Sequence, residues 1–166
     1  MSTSSAYIDA HVANQAASSI LALLFQQCVA ACEKHGIEID VIAESYFEST
    51  GEWKSFVLIV EGEQVLDLLQ SALDKTNCAS SEASIVIVPG LPQDKNFAVP
   101  TSDLLVEYYR KQAEDSERVF HTDCNVRLTY LPSGIVVCCQ RYRSRQKNYE
   151  NALHLLKSRV SAAGLA

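Results

Sequence analysis

The first 109 of the 166 residues contain no arginine, and the opening stretch Met1 to Ala6 has neither a basic start nor an apolar run. An arginine-rich transit peptide and a secretion signal need what is missing there, so the expectation is that an address is absent or has been removed. No uninterrupted apolar run approaches the ~18 residues of a membrane span, which predicts a chain that stays out of the bilayer. The six cysteines (Cys28, Cys32, Cys78, Cys124, Cys138 and Cys139) show no framework spacing, and outside a secretory setting they read as reduced thiols. Proline is scarce, and three of the four, Pro89, Pro92 and Pro100, crowd into one short stretch. That clustering marks a boundary rather than an element. What is plentiful is apolar: 48% of residues, against 20% charged, with a mean hydropathy near zero. At this length a chain buries roughly 70% of its unfolded surface, enough for one domain or two small ones without staples.

The net charge of −6 argues at first against nucleic acid, but the charges are not evenly spread. Residues 141–166 hold six basic side chains (Arg141, Arg143, Arg145, Lys147, Lys157 and Arg159) and one acid, Glu150; the other 140 residues hold eight basic and nineteen acidic groups. A basic tail on an acidic body is built to meet an anion at one end.

Tyr7 to Val12 alternates as a short strand. From Gln15, the residues Ala17, Ile20, Leu21, Leu24, Phe25, Cys28, Ala31, Cys32 and His35 recur at spacings of three and four, one apolar stripe on a helix that Gly36 terminates. Ile37 to Val41 and Lys54 to Val60 read as strands, Gly62 to Asp74 as a shorter helix, and Ile85 to Val88 as a fully apolar strand. Beyond the prolines, Leu104 to Tyr109 is a strand and the charged, aperiodic Lys111 to Asp123 a loop. Val126 to Tyr130 and Ile135 to Gln140 flank Leu131-Pro132-Ser133-Gly134, a hairpin turn in which Pro sets φ and Gly supplies a positive one. Ser144 caps a last helix whose stripe is Tyr149, Ala152, Leu153, Leu156 and Val160, leaving Arg145, Lys147 and Lys157 outside. The fold class is α+β, in two small modules: β-α-β-β-α-β over residues 1–90, a linker over 91–101, then β-loop-β-hairpin-β-α over 102–166.

The residues Ser102-Asp103-Leu104, Tyr109-Arg110, Thr122-Asp123, Val126-Arg127, Leu131-Pro132-Ser133-Gly134-Ile135-Val136-Val137, Cys139-Gln140, Arg143-Ser144 and Lys147-Asn148 resemble the hydrolase domain of class I peptide chain release factors. The match runs for about 50 residues without a gap. Upstream, Tyr7-Ile8-Asp9, the long helix, Gly36, Glu44-Ser45, Lys54 and Val60-Glu61-Gly62-Glu63 look like the family's preceding domain. The resemblance implies a Gly-Gly-Gln motif in the loop after Arg110, where the family promotes hydrolysis of the peptidyl-tRNA ester. The gapless register puts Asp115, Ser116 and Glu117 there instead. Two glycines that permit an unusual backbone are replaced, and a carboxylate replaces a neutral amide. Positioned dipoles stabilise a developing oxyanion by ~3 kcal/mol per donor, whereas Glu114, Asp115 and Glu117 repel it. The family's codon-reading segment has no counterpart tripeptide in Lys75 to Ser84, and after Arg159 no long basic tail of the rescue-factor kind follows.

Three readings of the same residues compete. The favoured one is a catalytically inactive release-factor homologue, not an enzyme, associated with the large ribosomal subunit as a structural or assembly protein. It would touch ribosomal RNA through Arg110, Arg127, Arg141, Arg143, Arg145, Lys147, Lys157 and Arg159, and ribosomal or assembly proteins through its acidic body. A divergent organellar ribosome, such as the mitochondrial one, is one setting, and the cytoplasm the other. The second reading is an RNA-binding protein that protects a transcript away from the ribosome, and the third a peptidyl-tRNA hydrolase in which Glu117 takes the glutamine's role. No cofactor, metal, membrane or small-molecule substrate is expected. Cys28, Cys32 and His35 have metal-ligand spacing on one helix face but fit the core better. Adjacent Cys138 and Cys139 point to opposite faces of a strand, and a His121, Asp123, Cys124 triad lacks an elbow to present the thiol. Tyr142 and Tyr149 are candidates to stack on bases, Tyr149 fitting the core better.

Overall fold

Residues 4–76, 81–92, 95, 97–110 and 123–165 are described by a computed structural model of the chain, which divides into a first unit, Met1–Gly90, and a second, Leu91–Ala166. Mixed α and β structure runs through both, with two sheets and three α-helices among the described residues.

In the first unit β1 (Ser4–Val12), β2 (Glu38–Tyr46), β3 (Trp53–Gly62) and β4 (Ala83–Pro89) form an antiparallel sheet in the order β2-β3-β1-β4. Alternation along the strands sends Ala6, Ile8, Ala10 and Val12 of β1, with Phe56, Leu58 and Val60 of β3, to one face. There they meet Leu21, Leu24, Cys28 and Cys32 of α1 (Ser18–Lys34) and Val65, Leu69 and Ala72 of α2 (Val65–Thr76). Each fully buried Leu or Ile contributes about 1.5–3 kcal/mol relative to exposure, so this two-layer core carries the unit. Asn14 opens the way into α1: its Oδ1 accepts from the Ala17 N–H at 3.1 Å across a short turn of 3₁₀ helix, Gln15–Ala17. Gly36 closes it with a φ of +64°, letting the Ile37 N–H return to the Cys32 carbonyl at 2.9 Å. At the other end of the unit, the Gly90 N–H donates to the Ser5 carbonyl at 2.7 Å. A Cβ at Gly90 would stand 2.8 Å from that oxygen, so the close approach requires glycine.

One expectation changes here. His35 is not part of the apolar stripe; it is the exposed C-cap of α1, one residue past the last helical turn that faces the sheet. β4, apolar as expected, stays partly open. It is an edge strand, and Val86 remains 51% exposed. The helical stretch Gln15–Lys34 is also long and apolar enough, by length and composition, to cross a membrane, although no uninterrupted run in it is. Its stripe is already committed to the sheet through Leu21, Leu24, Cys28 and Cys32, as in a core helix.

In the second unit β5 (Leu104–Tyr109), β6 (Asn125–Tyr130) and β7 (Ile135–Cys139) form an antiparallel sheet in that order. Gly134, at φ +72°, returns its N–H to the Tyr130 carbonyl at 2.7 Å and closes the β6–β7 hairpin. α3 (Arg145–Ala162) starts where Ser144 Oγ accepts from the Lys147 N–H at 3.3 Å, as its position predicts. The helix packs on β6 and β7, against Val126, Leu128, Val137 and Cys139. Its buried stripe is Asn148, Ala152, Leu155, Leu156, Ser158 and Val160, while Tyr149 and Leu153 are only half-buried. The expected stripe holds at Ala152, Leu156 and Val160 and is off at Tyr149 and Leu153; two of the buried positions it left out, Asn148 and Ser158, are polar and satisfied internally. Ser158 is one of them: its Oγ accepts from the Leu91 N–H at 2.9 Å and donates to the His154 carbonyl at 2.9 Å. His154 Nε2 lies 3.2 Å from the Leu91 carbonyl, so both backbone groups of Leu91 are held on α3.

Candidate nucleic-acid interface

The strand-to-helix junction between β7 and α3 is organised by one side chain that the sequence reading quoted within the Lys147-Asn148 match but gave no role. Asn148 is fully buried. Its Nδ2 donates to the carbonyls of Cys124 and Tyr142, each at 2.7 Å; its Oδ1 accepts from the Tyr142 N–H at 2.8 Å and faces the Cys139 thiol at 3.4 Å. Two donors and two acceptor positions are all used, which is the full capacity of an amide. The result ties the start of β6, the end of β7 and the junction to the first turn of α3. Asn148 fixes both the segment that re-enters the sheet after residues 111–122 and the basic run at residues 141–147.

Around that anchor stand five of the eight predicted RNA-facing cations. Arg110 pairs through Nε with Asp123 Oδ1. Arg145 donates from Nε to the Asp123 carbonyl at 2.6 Å and lays its guanidinium over the Tyr108 ring at 4.9 Å. Asp123 therefore collects two arginines where the chain leaves and re-enters the sheet, another role the sequence reading missed. Arg141 and Lys147 both lie over the Tyr142 ring, at 5.1 and 5.6 Å. Arg143 is exposed between them in sequence.

The other three are placed apart. Arg127 sits on β6 directly opposite Glu107 and Cys138, on the sheet face away from α3. It covers the Tyr109 ring at 5.7 Å, and its hydrogen bond with Cys138 holds the guanidinium still more firmly in its charged form. Burial pushes the Tyr109 phenol up to about 12, against the hydrogen bond that Gln140 Nε2 donates to it at 2.7 Å. Lys157 lies ten residues beyond Lys147, about 15 Å along the helix, with its ammonium 6.0 Å from the Phe97 ring. Arg159 donates to the Val136 carbonyl at 3.0 Å. Arg127, Lys157 and Arg159 thus brace the second unit with their side chains.

Chemically the junction offers cations and aromatic faces, which suit phosphates and bases. Asp115, Ser116 and Glu117 lie outside the described residues, as does His121 of the triad candidate. Among the described residues no group of three His, Cys, Asp or Glu could hold a metal ion. Cys28 and Cys32 are fully buried, and burial, reinforced by Cys32, pushes the Cys28 thiol up to about 12. Such a thiol is an inert core group rather than a ligand or nucleophile. Cys139 is buried and Cys138 half-buried, on opposite faces of β7.

Comparison with known proteins points at the same region. The RF-1 domain model matches residues 93–165. Peptide chain release factor 2 of Nitratiruptor sp. is 30% identical over 150 residues, covering 83% of this chain and 40% of the relative. Peptide chain release factor 2 of Campylobacter hominis is 31% identical over 150 residues, covering 83% and 41%. The chain thus spans about 40% of the length of these relatives. Among solved structures, RF2 of Thermus thermophilus superposes with a TM-score of 0.74 at 20% identity, over 98% of this chain and 50% of that one. The fold is therefore like that of the matched half of RF2.

Proposed function

From the homology of this chain to the class I peptide chain release factors, we propose that it is a release-factor-like protein that has kept an RNA-facing junction and lost ester hydrolysis. Its role in this reading is to bind the ribosome, at the large subunit, as a structural or assembly protein. The observation that carries the proposal is the pairing of two facts in one segment. The junction backbone is held by Asn148 and two of its cations, Arg110 and Arg145, by Asp123, while the family's Gly-Gly-Gln position reads Asp115-Ser116-Glu117. A carboxylate pair repels both an oxyanion and the phosphates of a tRNA end, so the basic junction is retained for binding and the loop no longer serves catalysis. The domain assignment follows the same line. Residues 1–90 correspond to the family's central domain without its codon-reading loop, and residues 102–166 to its hydrolase domain.

A direct test is single-turnover release of labelled peptide from ribosome-bound peptidyl-tRNA by the native chain. The expected rate equals the buffer control. A rate well above that control, unchanged by Glu117→Gln, overturns the loss of hydrolysis and favours the reading of a hydrolase. The same acidic first unit and basic junction also suit an RNA-binding protein acting off the ribosome, which specific binding to one naked RNA at physiological salt would favour.

A further inference from the structure

The cations at the junction explain attraction to phosphate; they do not explain why one of them, Arg145, is both hydrogen-bonded in place and laid over an aromatic ring. Arg145 is held twice, by its Nε bond to the Asp123 carbonyl at 2.6 Å and by stacking at 4.9 Å over Tyr108. Tyr108 lies on β5, the edge strand that α3 does not cover, and is 40% exposed. Its partner across the sheet, Val126, is fully buried. A large aromatic thus stays 40% open with a fixed guanidinium over its ring, next to a basic run. Flat, cationic and pre-ordered is the description of a base-stacking platform: every base has a π-face, and arginine planes and tyrosine rings both stack on it.

Resting on the reading of the junction as an RNA interface, we propose that Tyr108 and Arg145 form a subsite for an unpaired base, so that the RNA bound here is single-stranded or looped rather than continuous duplex. In a duplex the bases are already stacked and their faces hidden, and only phosphates reach Arg143 and Lys147. An unpaired nucleotide can place its base on the Tyr108–Arg145 surface while its phosphate meets the same cations. Holding Arg145 through Asp123 lowers the ordering cost on binding.

The test is fluorescence anisotropy of the full chain with labelled single-stranded A12 RNA and with the A12·U12 duplex, at low and moderate salt. The expected result is roughly tenfold tighter binding of the single strand, lost in Tyr108→Leu and kept in Tyr108→Phe. Affinity for the duplex should be unchanged in both variants. Equal binding of both RNAs, with Tyr108→Leu indistinguishable from the native chain, overturns the subsite while leaving a phosphate-binding junction in place. Arg143→Glu with Lys147→Glu tests the underlying reading separately. If that double variant leaves the affinity of both RNAs and its salt dependence unchanged, the junction is not the RNA interface at all. Failure of the native chain to bind either RNA contradicts both proposals.

Discussion

The two units solve the problem of a small α+β fold by different means. The first, Met1–Gly90, has three lysines, no arginine and twelve acids; the second, Leu91–Ala166, has eleven basic groups and eight acids. The first places two helices over four strands and fills the space with apolar side chains, and its buried Thr76 donates to the nearby Leu73 carbonyl at 2.6 Å. The second has one helix on three strands and uses buried polar groups to join distant parts of the chain: Asn148 to Cys124, Ser158 to Leu91. A core that lacks area can still define one geometry by satisfying its polar groups completely, and the geometry so defined here is that of the loop stem and the basic run.

The largest expected effect separates these strategies. Leu58→Ala in the first unit should cost about 3–4 kcal/mol through lost burial and the cavity left behind, measured by denaturant unfolding. Asn148→Ala in the second should cost roughly 3 kcal/mol, because the Cys124 and Tyr142 backbone groups lose buried partners. It should also weaken RNA binding, which Leu58→Ala should leave unchanged if each unit works by its own means. Next in size is Arg143→Glu with Lys147→Glu. RNA affinity should fall by at least about tenfold, with a shallower dependence on salt, since two phosphate contacts are removed. A smaller effect tests the apolar unit alone. The Cys28 thiol is raised to about 12 by burial and by Cys32, so above pH 9 the unfolded chain gives up a proton that the folded chain keeps. Stability is then fully present below pH 9 and lost as pH rises from 9 toward 12; Cys28→Val should flatten that decline in a pH series of thermal melts. The smallest is Gly134→Ala, about 1 kcal/mol, from the strain of a Cβ at φ +72° in the hairpin turn.

Legibility in the sequence followed the same division. Where apolar periodicity controls structure it could be read directly: the stripe from Leu21 to Cys32, the strands on either side of Gly51, and the Leu131-Pro132-Ser133-Gly134 turn all stand where their pattern predicts. It failed where burial is polar or edges are apolar. Asn148 and Ser158 occupy stripe positions on α3 that hydropathy assigns to the surface, and Val86 is exposed on an edge strand that hydropathy assigns to the interior. The candidate cations were visible as charge against an acidic background. Their grouping was not, because it depends on partners from far along the chain: Asp123 for Arg110 and Arg145, Tyr108 for Arg145, Phe97 for Lys157. A polar residue in register with a helix's apolar stripe, as Asn148 is with Ala152 and Leu155, is the signal that would have found the junction.

The measurement that bears most directly on the proposed role is gradient sedimentation of native lysate at low and high salt, with this chain and its neighbours detected across the fractions. Co-migration with a large ribosomal subunit or a lighter precursor, weakened by salt and by Arg143→Glu with Lys147→Glu, is the expected result. Migration near its own mass of 18.3 kDa, or with a single RNA free of ribosomal proteins, would contradict a ribosome-bound role.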